Sequence, residues 1–407
     1  MFIKVTKSGK NRYAQVVQSY RENGKIKHKV LLNLGRTDKI ENDPGMQRMA
    51  LNLMNLARVK EVININRAGK GQIVKWGDIV YQKLWEETNI AETLGSCTKS
   101  PPAWFDFEQT CLYLITRYLL TAQEENYYFT ADIPANQFYR TLDILGKNKN
   151  IIEKQLFPDP QKLKNPILCL LIPVNFKNTS LESMENLDFD YSLRRVQVMA
   201  IVFSDFAGRV IAQEIFSHRR FGRANLVQEI NRIRKTFQIT SPVIVTDQVY
   251  ETNLLQDFHY ISSAPVDIPP EEVTGIHYGI KTNLRTLRPE GILKAYHLLE
   301  FFQENFQPGK THPSLQWTER RIKGHFVICF LAALLGNRLE NKLDRAGKKT
   351  SPVRIREALN SLQFARFQAG NSSYLLPIAG QDFSPEILKH LGISPPDTLI
   401  HEEDLTL

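Results

Sequence analysis

Cysteines, apolar targeting segments and long apolar runs are scarce in this chain of 407 residues, and each absence excludes a class of protein. The four cysteines, Cys97, Cys111, Cys169 and Cys329, are far apart and form no C-x-x-C pair. We therefore expect reduced thiols and a cytoplasmic protein. The N-terminal residues lack the apolar segment of a signal peptide. The longest apolar run, 326–335, has ten residues, whereas a membrane-spanning helix needs about 20, so we expect no membrane association.

Motifs of common enzyme classes are missing as well. Residues 67–71 read RAGKG but lack the G-x-x-x-x-G-K-[ST] spacing of a phosphate loop, and the sequence has no G-x-S-x-G or dinucleotide-binding motif. His325 and Cys329 lie four residues apart on a predicted helix, but a zinc site needs further ligands. These classes of enzyme are therefore not favoured.

Apolar residues and positive charge are both abundant. The chain is 42% hydrophobic, which is typical of a globular protein, and its length allows two or three domains. It has 52 Lys and Arg residues against 43 Asp and Glu residues, a net charge of +9. This balance favours a polyanionic partner without identifying it.

Residues 1–40 are basic and alternate in the manner of β-strands. Turn sequences at Ser8–Gly9 and Asn23–Gly24 separate three short strands, which predicts an antiparallel meander. Ten Lys or Arg residues and two acids lie between residues 1 and 39. Lys25, Lys27 and Lys29 alternate and therefore share one face, where DNA phosphates could bind. The alternative is a solvated face whose lysines protect a sheet edge.

Residues 41–160 have apolar residues three or four apart, which indicates amphipathic helices. The pattern predicts helices at 47–57, 78–94, 105–122 and 136–157. We assign 41–160 as a helical DNA-binding region, with packing against a neighbouring domain as the alternative. Residues 341–407 read as a C-terminal tail with short helices at 353–362 and 384–391.

Residues 161–340 have a different pattern, with buried strands followed by alternating helices and strands. Strands are predicted at 165–174, 196–203, 209–216 and as a run of four to six residues within 241–248, and helices at 223–237 and 251–257. The order β-β-β-α-β-α is that of an RNase H-like core. We therefore predict an α/β fold, with an RNase H-like mixed sheet and flanking helices after the N-terminal meander and the helical region.

Asp247 falls at the C-terminal end of the predicted strand within 241–248, and sites in α/β sheets collect at such strand ends. The alternative is that Asp247 caps the next helix. A basic cluster lies upstream and is expected to bind duplex DNA through its phosphates. Its members are Arg219, Arg220, Arg223, Arg232, Arg234 and Lys235.

Two blocks of sequence resemble insertion-sequence transposases of the DDE type, whose catalytic domain is RNase H-like. The first comprises MFIKVTKSG, YAQVVQSYRENGK and VLLNLGR near the N-terminus, and the second is WTERRIKGHFVICFLA at 317–332. The resemblance covers about residues 1–340. It implies metal-dependent cleavage and transfer of DNA strands at element ends, with double-stranded DNA as the partner and Mg²⁺ or Mn²⁺ as the cofactor. A homodimer on the DNA ends is compatible with it.

The family's chemistry requires three carboxylates that hold two divalent ions. Asp247 takes the place of the second Asp, although Gln248 and Val249 stand where the family has a basic residue and Gly. Glu300 takes the place of the family's Glu, with Glu304 one turn further on as the alternative. The family's Arg four residues after its Glu is missing, because that place holds Glu304. The resemblance thus assigns Asp247 and Glu300 as catalytic and metal-binding residues, whereas Glu300 on its own could be a solvated helix residue.

Lys177 stands where the resemblance places the first Asp. An ammonium group only donates hydrogen bonds and cannot ligate a cation. Asn175 and Asn178 offer neutral oxygens, while Asp188 and Asp190 lie about ten residues further along. The segment between Asp247 and Glu300 is also shorter than in the family. We therefore expect a degenerate transposase with impaired catalysis, or alternatively a non-catalytic DNA-binding relic or competitor of an intact transposase.

Overall fold

The chain divides into two compact units in a computed structural model. The first unit is Met1–Gly69 with Ala369–Asn371, and the second is Lys70–Gln368 with Ser372–Leu407. The sequence-based boundaries at 40, 160 and 340 do not coincide with this division. The structure describes residues 2–22, 24–40, 42–56, 71–97, 105–120, 133–156, 163–177, 189–190, 195–239, 241–247, 255, 257–266, 277–308, 316–348, 350–369, 372–378, 380, 383–396 and 398–405.

The first unit contains the predicted antiparallel meander, which is confirmed, followed by two helices. The elements are β1 Phe2–Ser8, β2 Asn11–Glu22, β3 Lys25–Arg36, α1 Thr37–Ile40 and α2 Pro44–Leu56. Gly9 and Gly24 close the two hairpins with φ values of +60° and +76°, a region of backbone conformation that favours glycine. Among the described side chains of this unit, Ala14 and Val17 are the buried ones.

The second unit combines nine described helices with two sheets. Its helices are α3 Ile79–Glu86, α4 Ile90–Gly95, α5 Phe107–Leu120, α6 Ala135–Gln155, α7 Arg223–Phe237, α8 Pro289–Asn305, α9 Glu319–Arg345, α10 Pro352–Asn360 and α11 Ser384–Leu391. Its strands are β4 Gln72–Lys75, β5 Leu168–Lys177, β6 Phe189–Asp190, β7 Arg195–Ser204, β8 Val210–Ser217, β9 Val243–Thr246, β10 Tyr260–Val266, β11 His277–Thr282, β12 Gln363–Ala369, β13 Ser372–Ile378 and β14 Ile400–His401.

The larger sheet has seven strands and is mixed, as the sequence predicts for an α/β fold. Its order is β11-β10-β9-β5-β7, and β8 and β6 both pair with the outer edge of β7. Strands β5, β7 and β8 are antiparallel neighbours, whereas β9 is parallel to β5 and β10 is parallel to β9. The parallel register sets Leu168 beside Val243 and Leu171 beside Thr246.

Helices cover both faces of this sheet. Leu168, Leu170 and Ile172 of β5 belong to the apolar core that contains α8 and α9. The intervening residues Cys169 and Leu171 belong to a second core, which contains the apolar side of α7. Because side chains of a strand alternate between faces, β5 is buried from both sides and forms the centre of a three-layer unit.

Helix α9 runs through the core of the second unit. It contacts α3, α5, α6 and β8, and Gly146 of α6 and Gly324 of α9 allow close packing, because a Cβ atom on either would collide with the other helix's backbone. Among the described helices, α9 is the one long and apolar enough, by length and composition, to cross a membrane, and 67% of that apolar window is buried. Burial in the core therefore accounts for its apolar sequence.

The C-terminal segment is part of the core rather than a tail. Both predicted helices are present as α10 and α11, but β12, β13 and β14 also form a four-stranded sheet with β4 in the order β14-β13-β12-β4. Trp76, which follows β4, stacks on Phe364 of β12 at 4.9 Å between ring centroids. Strand β4 lies in the region predicted to be helical. Its pairing partner is far away in sequence, so local periodicity gave no indication of this sheet.

Candidate functional site

Asp247 is the first residue beyond the C-terminal end of β9. The strand alternates, so Asp247 lies on the same side as Val243 and Val245, which belong to the core beneath α8. Its backbone carbonyl accepts a hydrogen bond from Ser263 Oγ on β10. Its Oδ1 atom is buried and has no hydrogen-bond partner in the described part of the chain. A buried carboxylate oxygen without a donor is unfavourable unless a proton or a cation compensates it.

Tyr296 of α8 links Asp247 to Glu300. The pKa of the Tyr296 hydroxyl is raised, first by burial and then by the negative charges of Asp247 and Glu300, while a hydrogen bond with Ser263 lowers it. Both carboxylates therefore lie within electrostatic range of one hydroxyl group. Glu300 and Glu304 are both exposed, and of these two acids Glu300 is the one whose charge acts on Tyr296 together with that of Asp247.

Glu300 is half-exposed and interacts with His297 on its own helix. The Glu300 Oε2 atom lies 2.9 Å from His297 Nδ1, and both side chains are largely in solvent. Exposed pairs of this kind contribute little to stability. Sequence analysis missed Tyr296, His297 and Ser263; the spacing of Tyr296, four residues before Glu300, is the signal that could have indicated its position on the same helix face.

The sheet register places apolar residues, not an acid, beside Asp247 on the central strand. Leu171 pairs with Thr246, which puts Ile172 next to Asp247 and Val174 one step further on the same face. Both side chains are fully buried. Within the described part of β5, the place where a carboxylate could share a metal ion with Asp247 is therefore occupied by Ile172 and Val174.

Lys177 lies far from Asp247 along the central strand. Strand β5 continues for five residues past the level of Asp247, about 16 Å at the usual rise of a strand, and Lys177 is its exposed last residue. Alternation puts Lys177 on the opposite face from Asp247, and it pairs with Arg195 of β7. The sequence-based expectation that residue 177 adjoins the catalytic acids is therefore not met in the structure, because β5 is longer than β9.

The other candidate ligands do not complete a metal site. Asp190 pairs with Arg195 on the outer edge of β7, so β7 and β5 lie between it and β9. Asn175 shares the Lys177 face and is exposed, whereas Asn178 and Asp188 lie outside the described residues. The described residues contain no group of three or more His, Cys, Asp or Glu side chains that could hold a metal ion.

Of the residues assigned as metal ligands from the sequence, Asp247 and Glu300 could contribute two carboxylates to a divalent ion. Their carboxylate oxygens are the ligands that Mg²⁺ and Mn²⁺ prefer, and the unpartnered Oδ1 atom of Asp247 suits a cation. The chemistry of the family needs a third carboxylate between two ions. The part of the chain that the structure describes does not supply one beside Asp247.

His325 is a neutral core residue rather than a zinc ligand. Its Nε2 atom lies 2.9 Å from the Phe306 carbonyl oxygen and 3.5 Å from Cys329 Sγ. The carbonyl can only accept, so Nε2 carries the proton. Burial lowers the pKa of His325 to about 4.

The three predicted DNA-binding lysines of the meander share one face. Lys25, Lys27 and Lys29 are opposite Glu22, Tyr20 and Gln18 of β2, respectively, and all three are exposed. Lys27 Nζ lies 2.5 Å from Glu22 Oε2. The cationic face is thus continuous along β3, with one acid at its end.

Acids of α7 itself and of neighbouring segments form ion pairs with two members of the basic cluster. Arg232 lies 2.6 Å from Glu229 and 3.6 Å from Glu214 of β8, and Arg223 forms an ion pair with Asp257. Arg232 is partly buried, whereas Arg219, Arg220, Arg223, Arg234 and Lys235 are exposed. Helix α7 also packs on the sheet face opposite to α8, so its arginines and the acids Asp247 and Glu300 lie on different faces.

The comparison with known families concerns the first unit. Residues 3–61 match the family model described as "IS1634 family transposase, N-terminal domain". This range covers nearly all of the meander and both helices α1 and α2. A search of curated proteins found no match. Residues 3–61 are therefore similar to the N-terminal domain of IS1634 family transposases, and this similarity supports an insertion-sequence transposase.

Proposed function

We propose that this chain is an insertion-sequence transposase of the DDE type that binds DNA and whose strand cleavage is impaired. The family match of residues 3–61 supports the class. A transposase acts on double-stranded DNA, and the excess of Lys and Arg residues suits that partner. The proposal has three parts, which are the fold of the second unit, the state of its acidic site and the DNA-binding surface.

The strand arrangement supports an RNase H-like catalytic fold. Three antiparallel strands, β5, β7 and β8, come first, a helix α7 follows, and β9 and β10 then add in parallel on the other side of β5. This agrees with the first five elements of the β-β-β-α-β-α order expected from the sequence, whereas the predicted helix at 251–257 lies almost wholly outside the described residues. Asp247 then lies at a strand end next to the central strand, and α8 brings Glu300 to the same side.

The apolar pair Ile172 and Val174 is the observation that carries the proposed loss of cleavage. Both are fully buried where β5 passes Asp247. Two-metal catalysis stabilises the attacking and leaving oxygens together and contributes several kcal/mol. Each 1.36 kcal/mol corresponds to a tenfold change in rate. Without a third carboxylate, Asp247 and Glu300 would hold one Mg²⁺ or Mn²⁺ ion, which supplies charge but not the paired geometry.

Two separate DNA-binding surfaces are proposed. One is the face of the first unit with Lys25, Lys27 and Lys29, and the other comprises the exposed residues Arg219, Arg220, Arg234 and Lys235 of the second unit. Lys27, Arg223 and Arg232 contribute less in this proposal, because Glu22, Asp257 and Glu229 already neutralise them. Helices α5 and α6 pack on α9, which favours the packing alternative for that part of 41–160. Phosphate contacts of this kind position a protein without reading the sequence.

The alternative function is a DNA-binding relic or competitor that performs no chemistry. The same pair, Ile172 and Val174, favours it. The two functions share DNA binding and differ in cleavage, so they are separated by an activity measurement and not by an affinity.

Binding to the DNA that flanks the coding sequence tests the proposed DNA function. Fluorescence anisotropy of the full chain should show binding to duplexes from these flanks, with affinity that falls steeply as salt rises. Paired inverted repeats in the flanks should bind more tightly than a scrambled duplex of equal length. Equal or absent binding to both duplexes, or an affinity that is insensitive to salt, would contradict an element-end-binding protein.

A further inference from the structure

A cavity of about 120 Å³ lies among α5, α8, α9 and α10 in the second unit. Its floor follows one side of α9, where small side chains leave space between the helices. These floor residues are Cys329, Ala332, Ala333 and Gly336. A cavity of about 150 Å³ holds benzene in a protein core, so this one is of the size of a single aromatic ring.

Most of the lining is apolar. Leu298, Phe301, Phe302 and Phe306 of α8 and the following turn form one wall. Phe302 and Phe306 are buried, whereas Phe301 is 36% exposed and Leu298 is half-buried. The cavity therefore has a buried apolar interior and an open side through which a small molecule can enter.

Three polar groups of the lining lack partners within the described part of the chain. Tyr81 is 3% exposed, and neither its hydroxyl nor the Glu340 carboxylate has a hydrogen bond or ion pair there. The Arg356 Nε atom is buried without a partner. The charges of Glu340 and Arg356 both act on the pKa of Tyr81, in opposite directions, so the three groups lie near one another. Buried polar groups are normally hydrogen-bonded, and each exception needs an explanation.

We propose that this cavity binds a small molecule with one aromatic ring and an uncharged head group that both donates and accepts hydrogen bonds, of the primary carboxamide class. The ring would pack against Phe301, Phe302 and the small residues of α9. The amide N–H would donate to Glu340, and the carbonyl oxygen would accept from Arg356 Nε and the Tyr81 hydroxyl.

The polar groups disfavour other head groups. A carboxylate would place a negative charge against Glu340, and an ammonium would place a positive charge against Arg356. A hydrocarbon ring would fill the apolar part but leave all three polar groups unsatisfied. Burial and the charge of Asp344 raise the pKa of Glu340 to about 7, so its carboxylate is the stronger acceptor above that pH.

Benzamide is the probe that tests this site, with toluene and benzoate as comparators. Calorimetry or ligand-observed NMR on the full chain at pH 8 should give millimolar or tighter binding of benzamide, at least about tenfold tighter than either comparator. Glu340→Gln should weaken benzamide binding about tenfold and leave toluene binding unchanged. The matched control is Glu357→Gln, an exposed acid next to Arg356, which should change neither.

Two further measurements decide whether benzamide occupies this cavity. Ala333→Leu adds volume at the floor and should abolish benzamide binding in a chain whose circular dichroism is unchanged. If that variant does not fold, the pH dependence of benzamide binding to the wild-type chain tests the site instead. Binding should weaken between pH 8 and pH 6 as Glu340 becomes protonated. Absence of benzamide binding at millimolar concentration, equal binding of benzoate, or affinity independent of pH and of Glu340→Gln would overturn the proposal.

Discussion

The two larger β-regions of this chain differ in sequence pattern and in burial. In the meander, Ala14 and Val17 are buried while Ile3 and Ile26 are each 63% exposed. In the seven-stranded sheet, β5 and β7 are near-continuous apolar runs, and most of their residues are buried. Since buried apolar area is the main source of stability, the second unit is a self-sufficient core, and the first offers a surface of lysines and apolar side chains for a partner.

Truncating a side chain should lower the free energy of unfolding much more in the second unit than in the first, and this is the largest effect expected. Phe326→Ala deletes a buried ring of α9 and should lower the free energy of unfolding by about 3–5 kcal/mol, because a cavity remains. Ile3→Ala removes an exposed side chain and should change it by less than about 0.5 kcal/mol. Denaturant unfolding monitored by circular dichroism covers both units, whereas tryptophan fluorescence reports the second unit alone, because all four tryptophans lie there. Equal losses of unfolding free energy in Phe326→Ala and Ile3→Ala would contradict this difference between the two units.

Acid should destabilise the core of the second unit through His325. Its pKa is about 4 in the folded chain against an ordinary value of 6.5, so the folded state favours the neutral ring. The stabilising contribution is complete above pH 6.5 and is lost as the pH falls towards 4, by about 3 kcal/mol at 1.36 kcal/mol per pH unit. Denaturation at several pH values measures this loss. His325→Gln should reduce the loss of stability at acid pH. An unchanged loss would show that other groups control it.

DNA binding should depend on the meander without a cost in stability. Replacing Lys25, Lys27 and Lys29 by Gln should reduce the slope of log affinity against log salt by up to about 2.7, because each phosphate contact contributes about 0.9. Anisotropy titrations with duplex DNA measure the slope.

Arg232→Gln provides the matched control for the lysine variant. It should leave the slope nearly unchanged but destabilise the fold by about 1–3 kcal/mol, since Glu229, whose side chain is 7% exposed, loses its ion pair. A larger change of slope in Arg232→Gln than in the lysine variant would reverse the proposed assignment of the DNA-binding surface.

Lys177→Asp should have the smallest effect of these changes. Residue 177 lies five positions beyond the level of Asp247 and on the opposite sheet face, so a carboxylate there should not complete a metal site. DNA cleavage by this variant with Mg²⁺ or Mn²⁺ should be as low as that of the unchanged chain. A gain of cleavage would show that the sequence resemblance locates the first acid better than the sheet register does.

The sequence predicted those elements whose signal is local. Helix α7 is found at the predicted residues because Leu226, Ile230 and Ile233 repeat on one side, and the meander follows from its two glycine turns. Strand β5, predicted at 165–174, is shifted to Leu168–Lys177. The register of β5 against β9 depends on contacts across more than 70 residues, so the distance of Lys177 from Asp247 could not be inferred.

The acidic site was predictable only in part for the same reason. Asp247 was recognisable at a strand end and Glu300 on a helix. The link between them through Tyr296 and Ser263 needs the packing of α8 on β10. Glu229, which pairs with Arg232, is visible in the sequence of α7 itself. The other acids that pair with the basic cluster, Glu214 of β8 and Asp257 before β10, are not revealed by the charge pattern of α7.

Strand cleavage of flank-derived duplex DNA by the full chain, with Mg²⁺ or Mn²⁺, tests the central claim most directly. DNA binding without cleavage is the predicted result, because Ile172 and Val174 occupy the place beside Asp247 where a carboxylate is needed. The same duplex bound by Asp247→Ala serves as the baseline. Robust cleavage by the unchanged chain that Asp247→Ala abolishes would contradict the account, since it would mean that another acid completes the site.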